Sequence, residues 1–148
     1  MRFLFFHELA HILFTAPIAF FLYRQFKNWK LILMAFLIVI FLDIDHLFAY
    51  LFYAITTSNF SFPFATNYFY GSNKVFVLLH GWEWSPILWL IGKKVGKNLK
   101  INGLEWTIFL AFLGHLVVDQ FSYTSNPLAY FLTFRMLTGF DLGLFNGL

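Results

Sequence analysis

Cysteine is absent from this 148-residue chain, which excludes disulfides, thiolate nucleophiles and thiolate metal ligands and leaves nitrogen and oxygen as the only donors for a metal. Charge is scarce. Ten Lys or Arg and seven Asp or Glu make up 11% of the residues, against about 25% in soluble domains. No internal repeat or low-complexity tract is evident. What fills the chain instead is apolar: 60% of residues are hydrophobic and 24% aromatic, with 23 phenylalanines. That balance excludes a soluble globule as the leading description. A net charge of +3 and a pI near 9.2 would suit nucleic acid. The basic residues, however, sit in short clusters between apolar stretches, the pattern that orients membrane helices, so no nucleic-acid partner is expected.

Four apolar stretches, about 3–23, 31–55, 75–92 and 104–123, are each close to the length needed to cross a hydrocarbon core. The expectation is a single all-α membrane domain over 1–148, a bundle of about four transmembrane helices. The first stretch has Arg2 before it, as a secretory signal would. It carries His7, Glu8 and His11 without a clear cleavage signature, and reads as a retained helix. Arg24, Lys27 and Lys30 lie between the first two stretches, and Lys93, Lys94, Lys97 and Lys100 between the last two. The positive-inside rule makes both loops cytoplasmic and both termini external. Residues 56–74 mix turn formers with Phe and Tyr and read as an interfacial loop. Beyond Tyr123, Asn126 as a candidate N-cap and Pro127 in the first turn predict a short C-terminal helix at the outer interface, within an interfacial segment of about 126–145.

All five histidines have an acid within four residues. They fall in HELAH (His7, Glu8, His11), LDIDH (Asp43, Asp45, His46), HGWE (His80, Glu83) and HLVVD (His115, Asp119). Residues three or four apart share a helix face, so each stretch contributes one pair to one stripe. Asp43 and Asp45 are about 200° apart on a regular helix, which points only one of them at a given spot unless the helix is distorted. Counted at 1.5 Å per residue from the flanking lysines and arginines, His11, Asp43, His80 and His115 all lie about 20 Å from the basic side, past the midplane of a ~30 Å core. Ionisable groups at such depth cost on the order of 2.5–3.5 kcal/mol each on insertion scales and are tolerated when they face inward and satisfy one another or an ion. Imidazole and carboxylate together suit zinc, with manganese or iron as alternatives. A proton or ion pathway uses the same residue types.

Two families resemble parts of this pattern. HELAH matches HExxH and is similar to the intramembrane zinc proteases, which implies His7 and His11 as ligands, Glu8 as general base and a downstream aspartate as third ligand. LDIDH lacks the Asp-Gly of those enzymes, and the protease resemblance leaves His80, His115 and Asp119 unexplained. The ordered set AHILFT, LDIDH, HGWEWS and LGHLVVDQ, over roughly residues 10 to 123, resembles the bacterial inner-membrane metal-dependent hydrolases. These are thought to be distantly similar to the zinc-dependent phospholipase C and single-strand nuclease superfamily. This resemblance implies His11, Asp43, Asp45, His46, His80, His115 and Asp119 as metal-site residues. Many members have a second histidine in the central motif, where this chain has Glu83. It further implies phosphoester hydrolysis, with Glu8 or Glu83 as base or proton shuttle. The implied setting is a bacterial or archaeal cytoplasmic membrane, with the site toward the extracytoplasmic side, membrane lipids as partners and a lipid-linked phosphate as substrate.

Overall fold

The computed structural model describes residues 2–58 and 72–145, apart from the side chains of residues 2–5 and 8. Most of the aromatic loop expected at 56–74, and the side chain of Glu8, therefore lie outside the described residues. The described residues are helical, with turns, connectors and an isolated bridge between Lys74 and Asp141. Helix α1 spans Arg2–Phe26, α2 Lys30–Leu42, α3 Ile44–Thr57, α4 Trp84–Leu99, α5 Leu104–Tyr123 and α6 Leu132–Leu137, followed by a 3-10 turn at Leu142–Leu144.

Among the described residues, three segments are long and apolar enough to cross a membrane: Leu9–Phe26, Lys30–Thr57 through α2 and α3, and Leu104–Tyr123. The stretch 75–92 is not one helix. Residues 75–83 form a connector, and α4 begins at Trp84 and runs on through Lys93, Lys94 and Lys97. Pro86 explains the start. It lies in the first turn, where its missing N–H removes no helical bond, and its ring would collide with the carbonyl of Trp82 if the helix extended further back.

Helix α5 is the hub, packed against α1, α2 and α4. Two glycines permit the close approach. A Cβ on Gly114 would lie 2.8 Å from Ile18 of α1, and one on Gly92 would lie 2.8 Å from the Glu105 backbone. The distribution of polarity is the reverse of a soluble protein's. Phe20, Phe21, Ile40, Phe41 and Ile55 are largely exposed, whereas His11, Asp45, His80, His115, Asp119 and Arg135 are buried. Exposed apolar surface of this extent suits hydrocarbon, and buried ionisable groups must find their partners inside.

The C-terminal part is more folded back than its composition suggests. Asn126 accepts a hydrogen bond from Leu128 N–H in a local turn, and helix appears only at Leu132. It ends after six residues, where Gly139 (φ +66°) and Phe140 (φ +58°) reverse the chain. The short helix expected within 126–145 is thus present as α6, but it starts at Leu132 rather than at Pro127, with turns on either side. Backbone bonds from Trp82 to Tyr130 (2.9 Å), Val75 to Phe140 (2.9 Å) and Leu142 to Asn73 (3.3 Å) dock this segment on the 73–83 connector.

Candidate metal centre

Four parts of the fold meet beside the C-terminal half of α5. Helix α1 brings His7 and His11, one turn apart, with their Nε2 atoms 2.8 Å from each other and each 3.1 Å from Asp119 Oδ1. The second oxygen of Asp119 faces a different pair. Its Oδ2 lies 3.4 Å from His80 Nε2 and 3.3 Å from His115 Nε2, and those two nitrogens are 3.0 Å apart. Asp43 Oδ1 completes this second set, 3.5 Å from His80 Nε2 and 3.4 Å from His115 Nε2. Asp119 therefore bridges a trio and a tetrad. The stacked rings of His11 and His115, 4.0 Å between centroids, join them further.

The helix break at Asp43 resolves the 200° conflict between Asp43 and Asp45. Asp43 takes φ −70° and ψ −5°, ending α2 and starting α3. With the ladder broken there, Asp43 reaches the centre while Asp45 turns to the connector. Asp45 accepts from Leu79 N–H (2.7 Å) and lies 3.1 Å from His80 Nδ1. A carboxylate only accepts, so it holds the proton on Nδ1 and leaves Nε2 as the lone-pair nitrogen facing the cluster. His46 sits at the rim, its Nε2 3.8 Å from Asp43 Oδ1. Asp43 and His46 are half-exposed; the other donors are buried.

Four donors around a tetrahedral metal with bonds of about 2.0–2.1 Å stand about 3.3–3.4 Å from one another. The five edges measured in the tetrad run from 3.0 to 3.5 Å. The donors also have the right chemistry, because lone pairs packed this closely need a cation or shared protons between them. Among the described residues, three groupings could hold an ion: His7, His11 and Asp119; His80, His115 and Asp119; and Asp43, His46 and His80.

Glu83 stands apart from this cluster. Its carboxylate accepts from Leu132 N–H (2.9 Å), Thr133 N–H (2.9 Å) and the Thr133 hydroxyl (2.8 Å), capping the start of α6. Burial pushes its pKa up, but the donated N–H groups of Thr133 and Leu132 and the hydroxyl outweigh it and hold the carboxyl below its ordinary value. The residue expected as base or shuttle thus has its side-chain hydrogen bonds with Leu132 and Thr133 of α6, away from the His/Asp cluster. Arg135 was not singled out by the motifs. Fully buried, it donates to the carbonyls of Val77 (2.6 Å) and His80 (2.5 Å) and so grips the connector that carries His80. Its signal in the sequence is a lone cation in an apolar stretch, at the +55 position from His80, which no local spacing rule connects.

The fold and cluster define a class: a protein helical in its described residues, with helices long and apolar enough to cross a membrane and buried His/Asp groups able to bind metal. No family model, curated protein or solved structure matches the chain.

Proposed function

We propose that this protein is a membrane-embedded, metal-dependent hydrolase of phosphoesters, with zinc as the first candidate metal and manganese or iron as alternatives. The observation behind this reading is the Asp119 carboxylate, which gives one oxygen to the trio and the other to the tetrad. Carboxylate-bridged metal pairs are a recurrent arrangement for displacement at phosphorus. His7, His11 and Asp119 would hold one ion with a position left open, and His80, His115, Asp43 and Asp119 the other. Bound there, the metals would supply Lewis acidity and lower the pKa of water toward neutrality. In the reaction, water oxygen bonds to phosphorus as the P–O bond to the alcohol breaks, and one water proton ends on that alcohol. Asp45 keeps His80 oriented, and the half-exposed rim at Asp43 and His46 admits water. Glu8, next to His7 in HELAH, is the nearer of the two glutamates in sequence to a cluster histidine and the first candidate for the proton transfer. The lysine loops face the cytoplasm in this reading, and the site faces the other side.

One observation favours a second reading. His7, His11 and Asp119 form a trio of the kind the HExxH zinc proteases use, with Glu8 as base. That reading leaves the His80/His115/Asp43 set without a role. Metal analysis of the purified protein combined with a metal-edge anomalous map separates the cases. Two or more ions, one on His80 and His115, with phosphoester turnover lost in His115→Ala, supports the hydrolase. One ion on His7, His11 and Asp119, with peptide turnover that survives His115→Ala and dies in Glu8→Ala, replaces it with the protease. No transition metal, and no rebinding, sinks both.

A further inference from the structure

An open groove of about 820 Å³ runs along the C-terminal end of α5, with Trp82, Gln120, Phe121, Tyr123, Pro127 and Phe131 among its walls. That volume lies within the range of small-ligand sites. Tyr123 links the groove to the cluster, because its ring packs against His7 at 4.6 Å between centroids. Gln120 follows Asp119 directly. Its Nε2 donates to the carbonyls of Thr124 (3.2 Å) and Asn126 (2.9 Å), which fixes the amide's orientation, while its Oε1 is buried with no hydrogen-bond partner. Among the lining residues Phe121 is 87% exposed, on a helix long and apolar enough to cross a membrane.

We propose that this groove seats a hydrocarbon chain of a membrane amphiphile whose phosphoester head reaches the His7/His11/Asp119 trio. The inference rests on the hydrolase reading and names its substrate class. The trio is the set with an open position, and it is the set that Tyr123 touches. Lipid tails are as apolar as the groove wall, so its shape and the head contacts, rather than dehydration, select the occupant.

The test uses the full chain in phosphatidylglycerol vesicles containing a phosphatidic acid with a diazirine near the end of one acyl chain. Expected after irradiation is label concentrated on residues 120–131, falling at least fivefold in Ser122→Trp, which fills the groove, and unchanged in Leu137→Trp, on exposed surface outside it. Bound-metal stoichiometry in Ser122→Trp reports that the fold is intact. Label spread evenly over exposed residues such as Ile40 and Leu137, or insensitive to Ser122→Trp, overturns the proposal. If the same preparation hydrolyses a soluble aryl phosphoester without selective labelling, only the groove assignment falls. If it is labelled selectively but binds no metal, the hydrolase reading falls and takes this proposal with it.

Discussion

Asp45 never touches the centre of the cluster, yet it governs how His80 enters it. Partners of this kind are worth about 10–100-fold in metal affinity. Asp45→Asn should therefore weaken metal binding by about that factor in a competition titration, with helical content unchanged. Asp119→Asn removes the bridge and should lower the number of bound ions. Glu83 belongs to another category, since its carboxylate caps α6. Losing a cap costs about 1 kcal/mol, so Glu83→Gln should lower the melting temperature without changing metal content. Its carboxyl is held below the ordinary glutamate value of 4.5. The stability it contributes is thus complete above that value and is lost as pH falls through the lowered one. Measured melting temperatures of wild type and Glu83→Gln should accordingly differ at neutral pH and converge in acid.

At the level of elements, the centre depends on a helix that breaks and a connector that is held. The break at Asp43 costs a stretch of regular ladder inside an otherwise continuous apolar run, and it gives two aspartates two different tasks. The 73–83 connector has no regular structure of its own. Its position comes from α6, through Arg135 on the carbonyls of Val77 and His80 and through Glu83 on Leu132 and Thr133. Arg135→Ala leaves two buried carbonyls without donors, at roughly 1–3 kcal/mol each. The variant should melt earlier and lose metal from the His80/His115 set before the His7/His11 set, as read by anomalous scattering at each position.

For the molecule as a whole, lining an apolar body with ionisable groups makes stability depend on what satisfies them. Metal at about 1,000 times its dissociation constant stabilises by about 4 kcal/mol, on the order of 10 °C for a chain of this size. Chelation of the purified protein should lower the melting temperature by that order, and zinc should restore it. The absence of cysteine makes orientation directly readable. With both lysine loops cytoplasmic, Lys97→Cys should react with an impermeant maleimide only after permeabilisation, and Thr138→Cys should react in intact cells. The reverse pattern inverts the proposed sidedness.

Apolar runs of about 20 residues, in a chain with 60% hydrophobic content and charge confined to a few places, already pointed to helices with apolar exteriors. The four His/acid groups were also legible, since pairs three or four residues apart must share a helix face. Tertiary structure decided the rest. A regular-helix count could not say which aspartate faces the centre, because the break at Asp43 is a departure from that regularity. Nor could it place Arg135 and Glu83, whose partners lie 49 to 58 residues away. It could not join His7 and His11 to Asp119, on helices brought together by the close approach at Gly114. Local spacing determines which side chains share a face; only packing determines which faces meet.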